Sequence, residues 1–353
     1  MNVIADDTSG TPDTSGTLDE ALQRLHASGP ERNGWLSNHG PMAVESLVRH
    51  GQAPAVHRWL DYYRAKLEDM PEPDTAITED NWREALGDPR RIADWTRYFE
   101  RAVAERPWRD VLAAWWEPLL PGIAAGSTHP AIRVGHAVRT LLGGDETEPR
   151  LAELAHGLGY WAARHQPLPR LRTLAAAQSA AAALDAVPRV ARQEGGIRER
   201  LAQLTAFPAW VDPAATNPAA TNPDLARDRL RELVTAAVHR YATHGHGEPV
   251  MLVHAATAPN AVLRTLPALP RELWPASLQA AWSASAAVTA AYSPAAPQAY
   301  GPAGTLTADE IFARAAAHGD DHTIKFADTA LDVGDEVALA AALRGIELND
   351  PVL

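Results

Sequence analysis

The sequence predicts an all-α fold, a bundle-like packing of many helices in a single domain. Three observations lead there. Apolar residues recur at helical spacing through nearly every segment, no stretch alternates convincingly as a strand, and proline and glycine clusters cut the chain into lengths suited to helices. With 353 residues, 46% of them hydrophobic, the chain can bury a substantial core.

Residues 1–16, rich in Thr, Ser, Gly and Asp, read as a disordered leader, and the domain is expected over 17–353. An amphipathic helix is expected at 18–27, ended by Ser28-Gly29-Pro30. Apolar spacing then predicts helices at 42–50 and 53–64, with Pro71 to Asp74 as a break. Further helices are predicted at 82–86, 92–104, 108–119, 131–142, 148–164, 171–187 and 196–204. The tandem Ala-Ala-Thr-Asn-Pro repeat lies within 210–224, and its prolines predict a low-complexity surface loop. Helices resume at 223–243, 251–257, 260–266, 278–292, 308–318, 321–331 and 333–343. Asp321 is placed as the N-cap of the helix that follows it, and other acidic pairs such as Glu68-Asp69 read as solvated turns.

Composition removes several function classes. The chain has no cysteine, which excludes disulfides, thiolate nucleophiles, iron-sulfur clusters and thiolate-ligated haem. A metal would need nitrogen and oxygen ligands. The net charge of -12 argues against a sequence-independent grip on nucleic acid. Neither a signal peptide nor a membrane span is visible, so a cytoplasmic protein with small-molecule partners is expected. No Gly-x-Gly-x-x-Gly, Walker loop or Gly-x-Ser-x-Gly is present, so a flavin or nicotinamide site of the α/β kind is not supported.

Thirty arginines accompany only two lysines, Lys66 and Lys325. Arginine stays charged, whereas a lysine buried beside apolar groups can lose its proton and act as a nucleophile or take up carbon dioxide. Lys325 follows His322 by three residues, so on a helix the two share a face. Alternatively Lys325 is an ordinary solvated lysine. Among fourteen histidines, His39, His129, His254 and His322 sit in apolar or helix-starting contexts, beside Gly40-Pro41, beside Pro130, within Val250 to Thr257, and ahead of Lys325. Each is either a metal ligand or a hydrogen-bonded core residue, because no His-Glu-x-x-His or other local metal motif is present. Helices in a bundle can aim such residues at one interior point, which would form a central metal or substrate cavity. His136, two turns after His129, is a reserve ligand, a partner that orients one, or a catalytic group. His156 and His165 flank Tyr160-Trp161. Eleven tryptophans, Trp108, Trp115, Trp116, Trp161, Trp274 and Trp282 among them, belong to the core or wall a flat aromatic ligand.

Five ordered segments resemble the motifs of the questin oxidase-like family. They are Asn38-His39-Gly40-Pro41-Met42, His129-Pro130-Ala131-Ile132-Arg133 through His136-Ala137, Tyr160-Trp161-Ala162-Ala163-Arg164 with Leu168-Pro169, Val253-His254-Ala255-Ala256-Thr257, and His322-Thr323-Ile324-Lys325. The resemblance spans about residues 30–345. It implies a helical oxygenase without a flavin fold that tailors aromatic polyketides, including anthraquinone ring opening of the Baeyer-Villiger kind. It further implies non-haem Fe(II) held by His39, His129, His254, His322 and a carboxylated Lys325, with dioxygen as co-substrate. Fungal relatives carry additional histidines near the first two motifs, where this chain has Met42 and Arg133. These two, with Tyr160 and Trp161, are expected at the substrate pocket. Two readings from other classes remain beside this one, a non-catalytic polyketide-binding protein and a zinc-dependent hydrolase. The sequence leaves the need for a reductant such as NADPH open.

Overall fold

A computed structural model describes residues 16–210 and 222–352, and the expected leader up to residue 15 and most of the repeat loop lie outside the described residues. The fold is all-α. In chain order, α1 (Thr17–His26) leads through a short antiparallel pair, β1 (Glu31–Arg32) and β2 (Leu36–Ser37), to α2 (Gly40–Arg49) and α3 (Ala53–Arg64). The short α4 (Trp82–Ala85) precedes α5 (Ile92–Glu105), α6 (Trp108–Leu119), α7 (His129–Leu142) and α8 (Glu148–Arg164). An irregular stretch follows, with β3 (Arg172–Ala176), α9 (Ala180–Asp185), α10 (Ile197–Leu201) and β4 (Ala206–Ala209). The rest is α11 (Pro223–His244), α12 (Pro249–Leu252), α13 (His254–Thr265), α14 (Trp274–Tyr292), α15 (Ala308–His318), α16 (Asp321–Val333) and α17 (Glu336–Leu348). Apolar faces from α1 to α17 meet in one continuous core. No described helix is long and apolar enough to cross a membrane.

The expected helix over 171–187 is not formed as such. Its first half is β3, which pairs in parallel with β4, Arg172 opposite Ala206, and only Ala180–Asp185 is helical. The Ser179 side chain accepts from Ala182 N and starts that helix late, while the strand exists only because a partner more than thirty residues away completes its ladder. Local spacing contains neither fact.

The expected break between 257 and 260 also moves. α13 starts at His254 and runs through Pro259 without interruption. A proline there deprives the carbonyl four residues earlier of its helical donor. The Ser285 hydroxyl supplies the missing bond, donating to Ala255 O at 2.7 Å, so α14 repairs what Pro259 removes. α13 also lies tightly on α7, where a Cβ on Gly135 would stand 2.5 Å from Ala261 Cβ. This contact brings His129 and His254, each the first residue of its helix, to the same end of the packed pair.

The cap of α16 differs by one residue from expectation. Asp320 is the N-cap, accepting from Thr323 N at 2.8 Å, and this leaves the Asp321 carboxylate free to turn inward. The six tryptophans named above are all buried in the core; Trp116 and Trp161, for example, meet edge to face at 5.4 Å.

Candidate metal centre

Each of the four histidines stands at the start of a helix. His39 immediately precedes α2, His129 and His254 open α7 and α13, and His322 is the second residue of α16. Side chains lean toward the N-terminus of their helix, so first-turn residues reach over its end. Here the four ends face one another. Ring centroids lie 4.3 Å apart for His39 and His129, 4.4 Å for His39 and His322, 4.4 Å for His129 and His254, and 5.3 Å for His254 and His322. The turn ahead of α7 is forced into this position. Gly126, Ser127 and Thr128 all have positive φ, 55°, 56° and 68°, a conformation that costs a β-branched residue such as Thr128 about 1–3 kcal/mol.

The ring nitrogens have defined roles. His129 Nδ1 lies 2.6 Å from Gly126 O and His254 Nδ1 lies 2.9 Å from Met251 O; carbonyls only accept, so both Nδ1 atoms carry the proton. Burial, reinforced by neighbouring charges, holds both imidazoles well below their usual pKa, which keeps them neutral. Their Nε2 atoms are therefore both bare lone pairs, yet they face each other at 2.7 Å. Two acceptors at that distance repel unless both bind one cation, a shared proton or a metal ion to the side of the pair. His39 repeats the pattern. Its Nδ1 donates to Asp321 Oδ1 at 2.5 Å, its Nε2 is buried without a partner, and burial lowers its pKa to about 3 despite the carboxylate. His322 Nδ1 lies 2.9 Å from the same Asp321 oxygen.

Lys325 completes the group. It is 1% exposed, one turn beyond His322, and its Nζ has no hydrogen-bond partner. Burial lowers its pKa to about 8, and its charge bears on His39, His129 and His254. The hydroxyls of Thr128 and Thr257, next to His129 and one turn beyond His254, are likewise buried and unpartnered. Four positive helix ends converging on one point disfavour a lone cation. The Asp321 carboxylate, against His39 and His322, supplies negative charge beside the rings.

The residues that converge here lie in the stretch that decides the family, since the questin oxidase-like family model matches residues 36–330. The chain belongs to the questin oxidase-like family. A comparison with curated proteins finds no match. The match takes in α2 through most of α16, with all four histidines and Lys325, and leaves α1 and α17 outside it.

Other candidates of this questin oxidase-like chain fall elsewhere. His136 is not among the converging rings; its Nδ1 lies 2.7 Å from Glu45 Oε2 in a separate buried charge network. Met42 is core, 1% exposed. Arg133 is engaged by Glu153 through two hydrogen bonds of 2.6 and 2.8 Å. Trp161 packs on Trp116. Tyr160 is nearer the centre: its hydroxyl lies 2.8 Å from Ser37 Oγ, which is 3.0 Å from His129 Nδ1. The His156 ring lies tilted against that of His26, centroids 4.5 Å apart. A cavity of about 300 Å³ is lined instead by Gly126, Pro167, Leu168, Pro169, Leu201 and Arg198 among others. It shares Gly126 with the turn that orients His129.

Sequence reasoning missed Asp321, Ser37 and Gly126. Only Asp321 left a signal, as the second acid of Asp320-Asp321-His322, where one carboxylate suffices for the cap and the other is free for the site.

Proposed function

We propose that this protein is a non-haem iron-dependent oxygenase that cleaves a carbon-carbon bond of, or inserts oxygen into, an anthraquinone-like aromatic polyketide. The observation that carries the metal reading is the pair of bare Nε2 atoms of His129 and His254 at 2.7 Å, with the unpartnered His39 Nε2 and Lys325 Nζ beside them. The donor set fits a transition metal: imidazoles whose far nitrogens are tied to carbonyls or a carboxylate. Imidazole binds copper and zinc more tightly than ferrous iron. Iron is chosen because the family name denotes an oxidase, and ferrous iron supplies redox chemistry with dioxygen that zinc does not.

His39, His129, His254 and His322 would hold the ion, and bound iron would supply dioxygen activation. The Lys325 amine, deprotonated in part near neutral pH, adds to carbon dioxide and releases one proton, giving a carbamate that serves as the anionic oxygen ligand. Asp321 holds the His39 proton on Nδ1 and keeps Nε2 directed inward. The cavity beside Gly126 would receive the flat substrate.

Elemental analysis of freshly purified, untagged protein tests this reading. About one iron per chain, with oxygen uptake on adding hydroxyanthraquinones, supports it. Stoichiometric zinc without oxygen uptake would favour a hydrolase, and ligand binding without any metal would favour a binding protein.

A further inference from the structure

The four helices that begin at the histidine cluster meet a second time. Two to three turns beyond the histidines, α2 presents Glu45, α7 His136 and Arg139, α13 Asn260 and Arg264, and α16 Asp328 and Asp332. These residues form one buried network. Arg139 Nε donates to Glu45 Oε1 at 2.9 Å, and its two terminal nitrogens grip Asp328 at 3.1 and 3.0 Å. Asp328, fully buried, also accepts from Arg264 at 2.8 Å and lies 2.9 Å from His50 Nε2. Arg264 and Asn260 each donate to Asp332 Oδ2, at 2.8 and 2.9 Å.

The ligating atoms of Glu45, His136 and Asp328 lie within 4.8 Å of one another, a spacing that would also suit a metal. Arg139 already bridges both carboxylates there, so a cation would meet a guanidinium. The network is not a second metal site. Nor is net stability a sufficient reason for it, because well-packed apolar residues commonly replace buried ion pairs at no loss. Its distinctive property is direction. A guanidinium fork donates to a carboxylate at few angles, whereas the Gly135–Ala261 contact sets how closely α7 and α13 approach.

We propose that this network is a positioning device that fixes the register of α2, α7, α13 and α16 and thereby the spacing of the four histidines, with Asp328 as its central positioning residue. The inference rests on the metal-site reading above.

The test is titration of metal-stripped protein with Co(II) alone, read by visible absorption, in wild type and Asp328→Asn, with circular dichroism and Tm recorded in parallel. The positioning role predicts Co(II) affinity about tenfold or more weaker, as for partners that orient metal ligands, together with shifted visible bands in folded protein. Unchanged affinity and bands, whatever the Tm, would overturn it, since a merely structural role lowers Tm alone. Because Asp328→Asn leaves Arg139 and Arg264 short of a counter-charge, the double variant Glu45→Gln with Arg139→Gln, which removes a neutral pair, is measured beside it and is expected to weaken Co(II) in the same way. Wild-type protein that takes up no Co(II) would instead overturn the metal-site reading, and this inference with it.

Discussion

Asp321 Oδ1 stands 2.5 Å from His39 Nδ1, although 282 residues separate them in the chain. The contact joins the start of α16 to the start of α2 and decides which nitrogen of His39 is free. Contacts with the ring nitrogens of His39 and His322 keep the Asp321 carboxyl well below its usual range despite burial, so it is ionised at any working pH.

Asp321→Asn keeps the shape and removes the charge. Metal affinity is expected to fall about 10- to 100-fold, measured by competition with a chromophoric chelator. Affinity equal to wild type would mean that the carboxylate has no part in orienting His39.

Lys325→Arg should abolish metal binding, because guanidinium neither deprotonates nor forms a carbamate. Wild-type protein exhaustively depleted of carbon dioxide should lose metal and recover it with bicarbonate, and the arginine variant should respond to neither treatment. Full iron content in Lys325→Arg would eliminate the carbamate reading.

The metal-stripped protein should be less stable at pH 5 than at pH 7.5. His39, His129 and His254 have lowered pKa values in the fold and about 6.5 when unfolded, so below that value the unfolded chain binds more protons and stability drops as pH falls. Asp321 adds nothing in this window, since its contribution is lost only as pH falls below its unfolded value of about 3.9. Lys325, lowered to about 8, acts above it: stability should rise further as pH climbs from about 8 toward its unfolded value near 10.4. Thermal melts across this range provide the check, and a Tm independent of pH between 5 and 7.5 would contradict the burial of neutral histidines.

Gly135→Ala places a methyl against Ala261, including its backbone oxygen at 2.8 Å, which cannot simply rotate away. Overpacking of this kind costs about 1–3 kcal/mol. Chemical denaturation should show that loss, and metal content should fall with it as α7 and α13 separate. A variant as stable as wild type would show that the helices shift freely.

Much of the fold was legible because helices are local. Glu148–Arg164, Trp108–Leu119 and Ala308–His318 were bounded correctly from apolar spacing, which, like the Pro149 in the first turn of α8 and the Thr307 cap of α15 seen in the structure, acts within a few residues. The candidate site was legible only as a set of names. His39, His129, His254, His322 and Lys325 stood out by local context, but they were joined into one ligand set through resemblance to a family, since their wide spacing carries no positional information.

What the sequence determined by itself was a helical chain, without thiol chemistry, in which His39, His129 and His322 lie at helix starts and the second lysine follows the last of them. Tertiary structure alone decided that β3 pairs with β4, that Asp320 caps α16 while Asp321 turns to His39, and that Arg139 fills the space between Glu45 and Asp328. It also decided which histidine nitrogens carry protons. The physical reason is range: propensity and capping are settled within one or two turns, whereas desolvation and the pairing of helix ends exist only after distant segments have packed.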